Sequence, residues 1–120
     1  MMVLVDTSIW IDHLRAENRR LLAELEVQNV LAHPLVIGEL ACGNLRNRTE
    51  ILTVLHELPV APVARDSEVL VFIERQAIWG RGLGFIDVHL LASLALSGDA
   101  VLWTRDRRLA DVAAELLLAL

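Results

Sequence analysis

Lysine and tyrosine are absent from this chain of 120 residues, and cysteine occurs once, at Cys42. All eleven basic residues are therefore arginine. These absences exclude a Schiff-base lysine, a phosphate-loop lysine and a tyrosine nucleophile. A lone thiol can form neither an internal disulfide nor a cysteine-rich zinc or iron–sulfur centre, and this agrees with a reducing compartment. Cys42 reads as a small packed side chain rather than a nucleophile. No apolar run approaches the roughly 18–20 residues that span a bilayer, and the first residues lack the basic and apolar regions of a signal peptide. A cytoplasmic protein without membrane contact is expected. Internal repeats, low-complexity tracts and linkers are also missing.

What is present is apolar. Hydrophobic residues make up 55% of the chain and the mean hydropathy is +0.49, against about 45–50% apolar usage in ordinary soluble domains. That excludes disorder and predicts more apolar surface than a small monomer hides, hence a partner or a self-interface. The length fits one domain over residues 1–120. A net charge of −5 argues against a broad basic face for nucleic acid, unless a local acidic site dominates the total.

Apolar periodicity predicts alternating strands and helices. Val3-Leu4-Val5 reads as a buried strand ended by Asp6-Thr7-Ser8, with a helix from Ile9 capped by Ser8. Leu21, Leu22 and Leu25 mark a second helix, and Val30-Leu31-Ala32 a second strand stopped at His33-Pro34. Pro34 opens a helix to about Leu45, and Ile51, Leu52, Leu55 and Leu58 line the next one. Val60–Val63 can only be a short or edge strand because Pro62 has no donor. Asp66 or Ser67 caps a further helix, which ends at the glycine-rich Gly80–Gly84 segment. Ile86–Ser97 is helical with Gly98 as its stop, Val101-Leu102-Trp103 is a strand, and Leu109–Leu117 is a closing helix. This order implies an α/β fold with a central parallel sheet of about four or five strands flanked by helices.

Four acids stand out by placement. Asp6 and Asp106 follow apolar strands, at the carboxyl edge where ligand sites of open α/β sheets form. Glu39 interrupts the apolar pattern between Ile37 and Leu40, and Asp87 opens an otherwise apolar helix. Each also has a plain reading: a turn or capping residue for Asp6, a solvated helix residue for Glu39, a first-turn acid for Asp87, an Arg-paired loop acid for Asp106. No basic residue lies within four positions of Asp6, so several carboxylates gathered there would repel unless a cation joined them. Hard oxygen donors with few histidines favour Mg²⁺ or Mn²⁺ over zinc. Asp12 and Asp111 are the spare acids. His89, about 200° around the helix from Asp87, points away from whatever Asp87 faces. Trp10 and Trp103 read as core, and Trp79 as a residue for RNA contact or an interface.

The segments Val5-Asp6-Thr7-Ser8-Ile9-Trp10-Ile11, Ile37-Gly38-Glu39-Leu40-Ala41-Cys42-Gly43, Gly84-Phe85-Ile86-Asp87-Val88-His89-Leu90-Leu91-Ala92 and Leu102-Trp103-Thr104-Arg105-Asp106-Arg107-Arg108-Leu109 together resemble the PIN-domain ribonucleases. The resemblance is closest to VapC toxins of type II toxin–antitoxin pairs and covers essentially the whole chain. It implies a PIN-like three-layer sandwich, with Asp6, Glu39, Asp87 and Asp106 as the catalytic, metal-binding acids and Thr7 or Ser8 and Thr104 as hydroxyl support. It further implies an endoribonuclease toxin, dependent on Mg²⁺ or Mn²⁺ and neutralised by a cognate antitoxin. Arg75, Arg81, Arg105, Arg107 and Arg108 flank the proposed site in sequence and are the candidates for RNA contact. A homodimer and an antitoxin would cover the excess apolar surface, at Ile9–Leu25 and Ile51–Leu58. Removing the four acids from the count changes the formal charge from −5 to −1, so RNA binding is compatible with it. The alternative is a catalytically silent PIN-like interaction module. A phosphorelay receiver fits less well, since it wants an acidic pair after the first strand and a lysine after the last.

Overall fold

Met2–Val5 forms β1, and Val3, Leu4 and Val5 are all buried, as expected of a strand covered on both faces. A computed structural model describes every residue from Met1 to Leu120. After β1 come α1 (Thr7–Arg15), α2 (Arg19–Glu26), β2 (Val30–Leu31), α3 (Pro34–Cys42), α4 (Arg48–Glu57), α5 (Asp66–Gln76), α6 (Phe85–Ser97), β3 (Ala100–Trp103) and α7 (Arg107–Glu115). The sheet is parallel in the order β2-β1-β3, with Val3 opposite Val30 and Val101, and Leu4 opposite Leu31 and Leu102. Helices surround it in an α/β sandwich, and the apolar core runs from the strands into α6, where Leu90, Leu91 and Leu94 are fully enclosed.

Topology places the acids. In a parallel sheet every strand ends at the same edge, so the residues after β1, β2 and β3 share it. A helix that immediately precedes a strand and packs back along it brings its own N-terminus to that edge, as α6 does before β3.

Three expectations are corrected. The sheet has three regular strands rather than four or five, because Val60 and Ala119 contribute only isolated bridges, to Ala32 and Leu102; Pro62 keeps the former from extending. Asp6, not Ser8, caps α1, since its carboxylate reaches the Thr7 amide at 2.8 Å. Neither Asp66 nor Ser67 caps α5. Arg65 holds that position and its amide donates to Glu68 Oε1 at 2.8 Å. Helix ends also move: α3 stops at Cys42, and α7 begins at Arg107.

His33 ties two helices together inside the core. Pro34 occupies the first position of α3, where no amide donor is needed. His33 caps it, with Nδ1 accepting the Leu35 amide at 3.0 Å. Nδ1 must then be bare, so Nε2 carries the proton and donates to Ser93 Oγ of α6 at 3.0 Å. Both side chains are completely buried. Burial first, and then the neighbouring His89, lower the His33 pKa from 6.5 to about 4.

This histidine favours the folded state fully above pH 6.5. Its contribution is lost as pH falls from there towards about 4, since only the unfolded chain takes up the proton across that window. The cost is on the order of 3 kcal/mol. His33→Asn keeps an acceptor for the Leu35 amide but has no proton to gain. Denaturant titrations should show wild type losing stability across that window more steeply than the variant, and parallel curves would contradict the assignment.

Candidate active site

Asp6 is the most enclosed of the four acids, at 6% exposure. Its amide continues the ladder by donating to the Trp103 carbonyl at 3.0 Å, so the ends of β1 and β3 are locked side by side. Its Oδ1 takes the Thr7 amide, while Oδ2 receives the Thr104 hydroxyl at 2.7 Å and the Ser8 hydroxyl at 3.0 Å. Each hydroxyl then accepts from the next loop: Ser8 Oγ from the Arg105 amide at 3.1 Å, Thr104 Oγ1 from the Asp106 amide at 3.0 Å. A hydroxyl has one proton and two lone pairs, and both residues use them in this sense. Buried carboxylates need such donors, because none of the ion pairs in the protein includes Asp6.

Asp106 caps α7, its Oδ1 accepting the Arg108 amide at 3.0 Å and the Leu109 amide at 3.3 Å. Asp87 lies three residues past the cap of α6, and its Oδ2 accepts the Gly84 amide at 2.9 Å. Each is bound through one oxygen, which leaves the other free. Glu39 is exposed in the middle of α3 and connects to the cluster through Thr7, whose hydroxyl donates to Oε1 at 2.7 Å. The α1–α3 packing makes that bridge from 32 positions away in sequence.

Three of the acids act on the fourth. Burial raises the Asp87 pKa, the Gly84 amide opposes that rise, and the charges of Asp6, Asp106 and Glu39 add to it. No basic side chain answers them: the ion pairs are Arg81–Glu115 and Arg105–Asp12, and His89 hydrogen-bonds Asp66. No three His, Cys, Asp or Glu side chains close into a preformed metal cage. The donors are hard oxygens with free valences around a buried, hydroxyl-clamped carboxylate. That set fits a divalent cation that keeps several of its waters, as Mg²⁺ does, better than a closed all-protein site.

The remaining sequence candidates separate. Arg81 is held two-pronged by Glu115 at 2.8 Å and Arg105 is paired with Asp12, while Arg75, Arg107 and Arg108 make no ion pair. Asp111 adds its charge to that of Glu115 in holding the Arg81 guanidinium charged. His89 turns away from the cluster, is buried, and donates from Nε2 to Asp66 Oδ1 at 2.9 Å. Trp79 stands exposed at 62%. Gly84 was missed by sequence reading, although glycine followed three residues on by an acid is a helix-start spacing that could have pointed to it. A shallow depression of about 450 Å³ beside the cluster is lined by Ser8, Ile11, Asp12, Arg105 and Asp106. A second groove, about 470 Å³ between α5 and α6, contains none of the four acids.

A raised carboxyl pKa means that the folded state prefers the protonated acid. Stability is therefore greatest below the ordinary Asp value and falls as pH rises through the interval up to the raised one, and at neutral pH the penalty is complete. Asp87→Asn removes it. In chelator at neutral pH the variant is expected to melt above wild type, with the gap closing in acid, and a lower melting point at neutral pH would contradict this account.

The PIN domain family model matches residues 3–115. Ribonuclease VapC32 from two strains of Mycobacterium tuberculosis, CDC 1551 / Oshkosh and ATCC 25618 / H37Rv, is 50% identical over 119 residues, covering 99% of this chain and 96% of the relative.

Proposed function

Because the chain belongs to the PIN-domain family and is half identical to a VapC ribonuclease along nearly its whole length, we propose that it is an endoribonuclease toxin that hydrolyses RNA phosphodiester bonds with Mg²⁺ or Mn²⁺. The observation that carries this reading is the placement of the acids: Asp6, Asp87 and Asp106 stand at the starts of three helices, Glu39 is bridged to the first of them by Thr7, and none of the four is in an ion pair. Four unneutralised carboxylates are a poor surface for a polyanion unless a cation intervenes.

A divalent ion bound there would be held by Asp6, Glu39, Asp87 and Asp106, and would supply positive charge to the scissile phosphate and lower the pKa of the attacking water. The chain's own residues do the rest. Asp6 is immobilised by Thr104, Ser8 and the Thr7 amide, and Thr7 aims Glu39 at the same place. The uncapped oxygens of Asp87 and Asp106 are left to bind or to accept a proton from the attacking water. Arg75, Arg107 and Arg108 remain free for RNA phosphates.

The reading includes a cognate antitoxin and a homodimer, in the cytoplasm. A groove of about 970 Å³ between α1 and the α3–α4 connection, in which Ile11, Leu14, Leu45 and Ile51 lie among polar residues that include Arg15, Arg46 and Glu50, supports the antitoxin. Leu70, Val71 and Leu96 remain exposed on α5 and α6 and support a self-interface. Sedimentation of the purified protein is expected to give a dimer, and a monomer at high concentration would remove that part.

Cleavage of single-stranded or looped RNA should need Mg²⁺ or Mn²⁺ and stop on chelation. Asp6→Asn, Asp87→Asn and Asp106→Asn should each lower the rate at least ~100-fold, the scale expected when a positioned catalytic group is lost. Asp111→Asn, on the Arg81 side of α7, should cut RNA like wild type. Cleavage by metal-free protein would sink the mechanism, and a folded, metal-binding protein that cuts no RNA would favour the silent interaction module.

A further inference from the structure

Gly82 has a backbone that most side chains avoid, with φ +83°, and a methyl group added there would lie 2.6 Å from Arg108 Nη1 and 2.8 Å from Arg108 Cδ. The Arg108 side chain thus rests against the bare backbone of the glycine loop. That loop is fixed in place from the next residue, because Arg81 grips Glu115 on α7 through both guanidinium nitrogens at 2.8 Å. Arg108 starts in the first turn of α7, where its amide binds Asp106. It ends over Gly82, two residues before the Gly84 amide that holds Asp87. Arg108 is exposed, has no carboxylate partner, and reaches from the segment that carries Asp106 to the loop that precedes Asp87.

Holding an arginine side chain in one place at an exposed site is entropically unfavourable, and no hydrogen bond or ion pair in the folded chain uses the charge at its end. Arg105 and Arg81 have spent theirs on Asp12 and Glu115. We propose that Arg108 binds a phosphate of the RNA beside the scissile bond, and that Gly82 is glycine so that Arg108 can lie there. Arg108 is the substrate-binding group and Gly82 a positioning residue. The inference rests on the reading of the acidic cluster as an RNA phosphodiesterase, and adds to it one side chain and the loop position that directs it.

Gly80 provides the control, because it shares the left-handed backbone at φ +71° but an added methyl there meets nothing within 4 Å. Gly82→Ala and Gly80→Ala therefore carry similar backbone strain, and only the former displaces Arg108. Binding of a fluorescently labelled single-stranded RNA of mixed sequence is measured by anisotropy in chelator across a salt series, alongside kcat and KM with Mn²⁺. Arg108→Ala is expected to weaken binding roughly ten-fold, the scale of one hydrogen-bonded charge, and to flatten the salt dependence by about 0.7 in the log–log slope. KM should rise more than kcat falls. Arg108→Lys should recover part of the loss, and Arg107→Ala should lose less than Arg108→Ala. Gly82→Ala should reproduce most of the Arg108→Ala defect while Gly80→Ala binds as wild type, and the Gly82→Ala/Arg108→Ala double variant should be no worse than Arg108→Ala.

If Gly82→Ala behaves like Gly80→Ala, or the two changes add independently, Gly82 does not position Arg108. If Arg108→Ala binds and cuts RNA as wild type does, the assignment of Arg108 falls while the ribonuclease reading stands. A wild-type protein that neither binds nor cuts RNA overturns both.

Discussion

Everything at the acidic edge depends on how a buried carboxylate with no basic side-chain partner is accommodated at Asp6. Its two oxygens take one amide and two hydroxyl donors, and those hydroxyls are in turn held by the amides of Arg105 and Asp106. One side chain therefore fixes the start of α1, the end of β3 and the loop into α7 relative to each other. Removing a donor leaves more than a lost hydrogen bond, because the buried charge stays behind with its desolvation uncompensated.

The same economy recurs at the other acids. Asp6, Asp87 and Asp106 each sit at the beginning of a helix and satisfy amides that the helix leaves unpaired. The positive end of each helix dipole lowers the cost of the charge. The fold thereby holds three like charges near one another by giving each its own helix terminus. Glu39 lacks this support. It lies in the middle of α3, exposed, and depends on one bond from Thr7. Its placement is also governed from the other end of α3, where His33 both caps the helix and joins it to Ser93 of α6, the helix that carries Asp87.

Local chemistry made the outline legible. An apolar triplet followed by Asp6-Thr7-Ser8 marks a strand end, His33-Pro34 marks a helix start, and the spacing of Leu and Ile residues separates α2 to α6. Less legible was what depends on distant partners. Ser8 is as good a cap as Asp6 in sequence, and the choice was decided by Thr104, 98 positions from Asp6, whose hydroxyl anchors that carboxylate. Arg81 and Arg105 look as free as Arg108 until the fold brings Glu115 and Asp12 to them, from 34 and 93 residues away. The edge bridges at Val60 and Ala119 are too short to leave a periodic signature, which is why the expected sheet was wider than the regular one.

The exclusive use of arginine acquires a physical meaning from these contacts. A lysine ammonium is a compact point charge on a flexible stem, whereas the guanidinium fork engages both oxygens of a carboxylate at once. Arg81 uses that property to fasten a loop rich in glycine to α7, which a lysine would hold through one contact and leave free to pivot. The loop carries Gly84, and Gly84 holds Asp87. Rigidity at the exposed Arg81–Glu115 pair is thus transmitted over three residues to a buried-edge acid. The value of the pair lies in placing that acid, since an exposed ion pair contributes little to global stability on its own.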